Sequence, residues 1–199
     1  MRTRQMPLCA AVLIAFLANF GCAEFGQVNQ GQAVHFDRAA GVVTLISDSN
    51  YNDPANPRYD ALPPVTVRIP QDPNDMGPEP EAGRLLSLDT EAGKAVVYDP
   101  DSRSLRSIEI VPLERQSGVA PNSPLVAGKT FPVVDRQSKS ITVYSRSWRS
   151  LVRFTVAEEH LNLPEAAWRV GDQVRYYYKS PDQALRFMNV TKTDLSPSK

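Results

Sequence analysis

Cysteine is nearly absent from this sequence. The chain of 199 residues has two cysteines, Cys9 and Cys22, and both lie close to the amino terminus. The sequence after Cys22 therefore has no residue that can form a disulfide or act as a thiolate metal ligand. This absence excludes thiol-based chemistry and a disulfide scaffold from the main part of the protein.

Recognisable catalytic motifs are also lacking. The two histidines, His35 and His160, lie far apart and show no metal-ligand spacing. There is no nucleophile motif of the Gly-x-Ser-x-Gly type and no phosphate-binding glycine loop. We therefore predict that the protein is not an enzyme and uses no cofactor or metal. A hydrolase that combines His160 with a serine and an acid is a less favoured alternative.

The chain has no excess of charge of either sign. Lys and Arg total 22, and Asp and Glu also total 22. A neutral chain has no overall field that would attract nucleic acid or an anionic membrane. We therefore expect no nucleic acid partner, and membrane attachment would need a different cause.

The amino-terminal residues predict an export signal. Arg2 and Arg4 precede an apolar run at residues 8–17, and this run is shorter than the ~20 apolar residues that span a bilayer. A positive start followed by a short apolar segment is typical of a secretory signal. We therefore predict a signal peptide of the lipoprotein type at residues 1–21.

Two processing sites lie at the end of this signal. Cys22 has the position of the lipid-modified cysteine of bacterial lipoproteins, although Asn19 and Phe20 replace the usual leucine and small residue. The alternative is an ordinary cut after Ala23, which Gly21 and Ala23 would support as small residues. We favour lipidation of Cys22, because the other cysteine is discarded with the signal.

One segment occurs three times in the sequence that follows. Its copies are residues 37–46 (DRAAGVVTLI), 89–98 (DTEAGKAVVY) and 135–144 (DRQSKSITVY). Each copy opens with Asp and ends in β-branched or aromatic residues, which is typical of a turn followed by a strand. The repeat therefore predicts an architecture of similar β-units.

The repeats also suggest how the chain is divided. We predict a lipidated amino terminus and flexible tether at residues 22–33, a single β-rich domain at residues 34–193, and a polar tail at residues 194–199. The domain would consist of three repeats, at about residues 34–88, 89–134 and 135–193.

The predicted fold is all-β and mainly antiparallel. Seventeen prolines and ten glycines favour short strands with stiff connections. Three β-meander units would suffice for a small barrel or a barrel-like sandwich. Residues 168–178 (WRVGDQVRYYY) resemble a strand entry of OB- or SH3-like barrels, and residues 157–168 are where at most one or two short helices are expected.

A possible interaction surface combines basic and aromatic residues. Residues 136–153 contain five basic residues and no acid. If the strand there is continuous, Arg146 and Trp148 share one face. The full surface would comprise Arg146, Trp148, Arg149, Arg153, Tyr176 and Tyr178. The alternative is that the basic residues form a solvated strand face. The aromatic residues would then pack in the core and on the surface of the sheet, with Tyr177 buried.

A loop after the first repeat resembles a calcium site weakly. Asp48, Asn50 and Asn52 have the 1-3-5 spacing of a calcium loop, but Asp53 replaces the glycine of the sharp turn and Tyr59 the final glutamate. Local hydrogen bonding in an Asx-rich turn is the favoured interpretation, so we predict no metal site.

The signal, Cys22 and the β-rich repeats together resemble small exported bacterial lipoproteins of uncharacterised families. This resemblance implies a cell-envelope protein that a lipid anchors on the periplasmic side of the inner or outer membrane. We predict a non-enzymatic binding or structural module that contacts an envelope protein or glycan. The alternative is a periplasmic β-barrel, soluble or anchored, that binds a glycan or a small apolar ligand.

Overall fold

The computed structural model describes residues 25–53 and 55–193, and the chain over these residues is all-β, as predicted. The predicted signal, Cys22 and the polar tail lie outside the described residues. Two short 3-10 helices, Glu158–Asn162 and Glu165–Ala167, lie where helical structure was expected. The strands are β1 (Gln27–Asp37), β2 (Val42–Asp48), β3 (Tyr59–Arg68), β4 (Leu85–Asp89), β5 (Lys94–Asp99), β6 (Ser104–Glu109), β7 (Val111–Ser117), β8 (Val133–Asp135), β9 (Ser140–Ser145), β10 (Ser150–Thr155), β11 (Gln173–Ser180) and β12 (Gln183–Asn189).

Each copy of the repeated segment forms the turn and second strand of a β-hairpin. The opening aspartate accepts a hydrogen bond from a backbone N–H two or three residues later, which fixes the turn. The Oδ1-to-N distances are 3.0 Å for Asp37 and Ala40, 2.8 Å for Asp89 and Ala92, and 2.9 Å for Asp135 and Gln137. The repeated segment thus encodes the same aspartate-stabilised hairpin turn three times.

Five strands close into a ring with the order β1-β11-β12-β3-β2. Neighbouring strands are antiparallel except β12 and β3, which meet through one parallel pair, Gln183 and Arg68. Alternate side chains of the strands fill the interior of the ring. The buried residues of this cluster are Ala33, Val43, Leu45, Val67, Ile69, Val174, Tyr176, Ala184 and Phe187.

The three-stranded sheet β4-β5-β6 contributes buried residues to two different cores, since successive residues of a strand point to opposite sides. Leu85 faces the four-stranded sheet β7-β10-β9-β8, in a core built around Trp168 and Phe154, whose ring centroids are 5.8 Å apart. Leu86 faces the outside of the ring, where it packs with Ile46. The molecule therefore has three layers: the ring, the central sheet and the four-stranded sheet.

Three chain segments cross where the ring meets the other sheets. Backbone hydrogen bonds join Gly83 N to Ala33 O (3.0 Å), Ala33 N to Asp172 O (2.9 Å) and Asp172 N to Glu81 O (2.8 Å). A Cβ atom on Gly171 would lie 2.0 Å from the Ala33 oxygen, and one on Gly83 would lie 2.6 Å from the Gly171 nitrogen. Glycine at both positions is what allows the backbones to approach this closely.

The flexible tether predicted at residues 22–33 is wrong from Gln27 onward. The strand β1 begins there and pairs with both β2 and β11. Gln32 donates a hydrogen bond from Nε2 to the Leu85 oxygen at 2.8 Å, and Gln30 donates one to the Asp48 carboxylate at 2.8 Å. These partners allow a glutamine-rich segment to form a buried strand.

The three predicted repeats do not coincide with the sheets. The strands β11 and β12 were assigned to the third repeat, but they belong to the ring with β1, β2 and β3. The strand β7 from the second repeat pairs with β10 of the third. Closing the ring satisfies backbone groups on edges of β1 and β3 that would otherwise be free, and this closure leaves no trace in the repeat pattern.

Candidate functional site

A polar cleft of about 490 Å³ opens where the ring meets the four-stranded sheet. Its lining comes from the loop before β8, from the β9–β10 turn, and from the segment that leads into β11. The charged residues that line it are Glu81, Lys129, Arg146, Arg169 and Asp172. A cleft of this size is typical of sites for small ligands.

Asp172 is the buried centre of a hydrogen-bond network beside this cleft. Its Oδ2 accepts hydrogen bonds from the Glu81 backbone N–H and from Asn189 Nδ2, both at 2.8 Å. The Lys192 ammonium lies 3.4 Å from the same oxygen and 2.8 Å from Glu81 Oε1. Lys192 therefore pairs with two acids at once and holds the end of the ring against the segment that contains Glu81.

The charge of Glu81 is stabilised from several directions. The hydrogen bond from Lys192 lowers the pKa of Glu81 below its ordinary value of 4.5, against the opposing effect of partial burial. The positive charges of Arg146 and Arg169 lower the pKa of Glu81 further. Glu81, Arg146 and Arg169 all line the polar cleft, so a ligand bound there would meet all three charges.

Within residues 25–53 and 55–193, neither Arg146 nor Arg169 forms a salt bridge. Lys129, on the loop before β8, donates a hydrogen bond to the Leu125 oxygen at 2.9 Å. Guanidinium groups bind carboxylate and phosphate through two parallel hydrogen bonds. Two such groups in one cleft make an anionic ligand the chemically suitable occupant.

A second, apolar groove of about 590 Å³ lies on the outside of the ring. Val28 on β1, Tyr177 on β11 and Met188 on β12 line it. Val28 is 63% exposed and Met188 is 38% exposed, so the groove presents apolar surface to solvent. Arg175 and Arg186 also line it.

The structure separates the residues of the predicted interaction surface. Because β9 ends at Ser145 and β10 begins at Ser150, the predicted strand face shared by Arg146 and Trp148 is wrong. Arg146 lines the polar cleft, whereas Trp148 packs against the core between the two sheets. Arg149 occupies the left-handed position of the turn, with φ of 47°.

The remaining members of that surface lie at two separate places, one on the four-stranded sheet and one in the ring. Arg153 is on β10, where its Nε donates to Ser140 Oγ at 3.2 Å. Tyr176 is buried inside the ring, and the Tyr178 ring packs on it with a centroid distance of 5.3 Å. The prediction that Tyr177 is buried is wrong, because alternation from the inward-facing Val174 places Tyr176 inside and Tyr177 outside.

The carboxylate of the calcium-like loop is occupied by protein donors. Asp48 Oδ2 accepts from Gln30 Nε2, and Oδ1 accepts from the backbone N–H groups of Asn50 and Arg58, all at 2.8 Å. Asn52 is exposed on the same loop. In the part of the chain that the structure describes, no group of three or more His, Cys, Asp or Glu side chains could hold a metal ion. Local hydrogen bonding accounts for the sequence pattern.

The histidines lie away from both openings. His35 is on β1 and His160 is in the first 3-10 helix, and neither lines the polar cleft or the apolar groove. None of the helices among the described residues has the length and apolar character needed to cross a membrane.

Sequence reasoning missed most of the polar cleft. It identified Arg146, but not Glu81, Arg169, Asp172 or Lys192. Glu81 lies in a proline-rich acidic stretch that resembles a solvated loop, and Asp172 follows a glycine in an ordinary strand entry. The pairing of these acids with Lys192 depends on the closure of the ring, which brings residues from three distant segments together.

These features define an all-β protein in which a five-stranded ring and a pair of packed sheets share a polar cleft. The model of a family described as Domain of unknown function (DUF4881) matches residues 24–197, and the chain therefore belongs to that family. No curated protein and no solved structure matches the chain. The match covers the ring and both other sheets, and it agrees with the expectation of an uncharacterised family.

Proposed function

We propose that this protein is a binding module of the bacterial cell envelope, anchored by a lipid on Cys22, that recognises an anionic group through the polar cleft. The signal-like residues 1–21 and the cysteine that follows them support the anchor. The observation that carries the binding proposal is the pair of guanidinium groups, Arg146 and Arg169, that face one cleft without a salt-bridge partner among the described residues.

The charges around the cleft favour an anion. Lys129, Arg146 and Arg169 line it with three positive charges, and Lys192 offsets one of the two negative charges of Glu81 and Asp172. The cleft is therefore net positive. A carboxylate or phosphate would receive bidentate hydrogen bonds from a guanidinium group.

The shape of the cleft favours a glycan over a protein surface. Its volume of about 490 Å³ suits a few sugar rings better than a broad protein interface. Phe131 and Tyr144 line it as a tilted pair with ring centroids 5.9 Å apart. Aromatic faces beside polar groups provide apolar contact for the C–H face of a sugar. The proposed ligand is thus an acidic envelope glycan.

The binding site is tested with Arg146→Gln and Arg169→Gln. Calorimetry with short glucuronate-containing oligosaccharides should show at least about tenfold weaker binding for each variant, a loss of ~1.4 kcal/mol. Arg149→Gln is the matched control, since it removes the same charge from the same turn but does not line the cleft. An equal loss in the control, or no binding by the unaltered protein, would contradict this site.

The anchor is tested separately by intact mass and membrane fractionation of the mature protein beside Cys22→Ala. We expect a diacylglyceryl-modified residue at Cys22 and loss of the variant from membranes. A soluble protein that begins at Glu24 would contradict the anchor and leave the cleft experiment unaffected.

A second candidate function is the binding of a small apolar molecule by a soluble periplasmic protein. The apolar groove formed by Val28, Tyr177 and Met188 favours it. This candidate predicts that medium-chain fatty acids raise the melting temperature of the lipid-free protein, and that Met188→Asp abolishes the rise. Absence of any rise would eliminate it.

A further inference from the structure

Few residues separate Cys22 from the folded domain in the sequence. Because β1 begins at Gln27, only the four residues at positions 23–26 separate it from the cysteine. Five steps along an extended chain reach at most about 17 Å. A lipid on Cys22 would therefore hold the domain against the bilayer, and would hold the start of β1 closest to it.

The last residues of this connection already contact the ring. The Tyr177 ring lies against Gly26, where an added Cβ atom would be 2.1 Å from Tyr177 Cζ. Phe25 precedes it and is 93% exposed. The chain thus leaves the domain beside Tyr177, which lines the apolar groove.

The apolar groove continues from that exit point across the outer face of the ring. The β-sheet register pairs Val28 with Tyr177 and Arg175 with Met188. Because Arg175 and Tyr177 are two residues apart on β11, the two pairs are neighbours on the same face of the sheet. Val28 and Met188, which both line this groove, are large and exposed. Exposed apolar residues that cluster in this way mark an interaction surface, whereas isolated ones do not.

Basic residues accompany the apolar ones. Arg186 pairs with Asp75 at 3.3 Å, while Arg175 donates to the neutral amide oxygen of Gln30 at 2.7 Å. Lys179 is exposed at the end of β11. Among the described residues, neither Arg175 nor Lys179 forms a salt bridge, so their positive charges are complementary to anionic headgroups. Asp182 in the next turn reduces this positive charge.

We infer that the outer face of the ring, formed by β1, β11 and β12, lies on the bilayer that holds the lipid. This inference rests on the proposed anchor at Cys22. Phe25, Val28, Tyr177 and Met188 enter the headgroup region, and Arg175 faces the anionic headgroups. The anchor then fixes the orientation of the domain as well as its location, because one lipid and one protein face act together.

The test uses single-cysteine variants of the full chain. After lipidation the sulfur of Cys22 is blocked, so Val28→Cys and Met188→Cys each provide one free thiol for an environment-sensitive fluorophore. Leu113→Cys on β7 is the control, since Leu113 is also exposed, at 53%, but lies on the four-stranded sheet. Intact mass first verifies the lipid, and the protein is then reconstituted into phosphatidylethanolamine–phosphatidylglycerol vesicles.

We expect labels at positions 28 and 188 to show stronger, blue-shifted emission in vesicles than in detergent-free Cys22→Ala protein. Nitroxide-labelled lipids should quench them, and the label at position 113 should show neither effect. Equal behaviour of all three labels on verified lipidated protein would overturn the orientation and leave the anchor standing. An unmodified Cys22 would overturn both. A label at position 188 that responds to dodecanoate but not to vesicles would identify a small ligand instead of the bilayer.

Discussion

At the scale of single residues, aspartates fix the turns of this fold and glycines allow its chain segments to cross closely. The opening aspartates of the three repeats predict turns, because an Asx side chain bonds to the backbone only a few residues away. Gly83 and Gly171 each lie two residues before a strand, β4 and β11 respectively. That they touch each other depends on how distant segments cross, and no local pattern records it.

The contact at Gly171 leads to a prediction about stability. Alanine there would place Cβ 2.0 Å from the Ala33 carbonyl oxygen, a backbone atom that cannot move without breaking its hydrogen bond from Gly83. We expect Gly171→Ala to lower the free energy of unfolding by at least about 3 kcal/mol. Urea titration followed by circular dichroism measures it.

Gly118→Ala serves as the comparison for that substitution. Gly118 has a φ of 74°, but an added Cβ would meet no atom within 4 Å. Its cost should be limited to the left-handed backbone conformation, about 1 kcal/mol. Equal losses for the two variants would show that the close approach at Gly171 is unimportant.

At the scale of elements, periodicity identified strands wherever one face was apolar. It failed for β1, whose polar residues at its start resemble a linker, because Gln30 and Gln32 are buried through hydrogen bonds to other strands. It also assigned the wrong tyrosine to the interior. Three consecutive tyrosines do not show by themselves which of them points inward. Val174 decides this, but only once the structure places its side chain inside the ring.

The loop between β2 and β3 is expected to depend on Asp48. Replacing this residue with alanine leaves the Gln30 amide and the N–H groups of Asn50 and Arg58 without acceptors. We expect Asp48→Ala to destabilise the protein by about 2–3 kcal/mol. The melting temperature of the unaltered protein should be the same in calcium and in a chelator, and a rise with calcium would restore the metal hypothesis.

The Lys192 network makes stability depend on pH in the acidic range. Because the hydrogen bond from Lys192 lowers the pKa of folded Glu81, the pair stabilises the protein above the ordinary value of 4.5. This contribution is lost as the pH falls through the lowered pKa. We expect Lys192→Met to be less stable than the unaltered protein at pH 7, and the difference to shrink below pH 4.5.

The measurement for Lys192→Met is urea unfolding at intervals between pH 7 and pH 3. Lys139→Met is the matched control, because Lys139 pairs with Glu158 at 2.9 Å where both side chains are largely exposed. Exposed pairs contribute little, so its curve should lie close to that of the unaltered protein. A pH-independent deficit in Lys192→Met would contradict the role of Glu81.

At the scale of the whole molecule, the all-β class follows from the sequence, but the arrangement of the sheets does not. Three similar β-units in a row suggest three similar sheets. The chain instead closes a ring from its first three and its last two strands. The other seven strands form two further layers. Which strands close the ring depends on which sheet edges would otherwise remain unpaired. This is a property of the assembled sheets and not of any single segment.

The central sheet should make the three layers unfold together, since its two faces belong to two different cores. The chain has two tryptophans, Trp148 and Trp168, and both pack in the core between the central and four-stranded sheets. Tryptophan fluorescence therefore reports on those two layers, whereas far-ultraviolet circular dichroism also follows the ring. We expect the two urea transitions to coincide, as for a single cooperative unit.

The substitution Leu86→Ala tests this coupling from the opposite face. Leu86 is 3% exposed and faces the ring, away from both tryptophans, and its truncation should cost about 2–5 kcal/mol. If the layers are coupled, the fluorescence transition moves to lower urea together with the dichroism transition. Val111→Ala changes a residue that is 63% exposed. It should change the free energy of unfolding from either transition by no more than about 0.5 kcal/mol. A fluorescence transition that stays in place while the dichroism splits would show that the ring unfolds on its own.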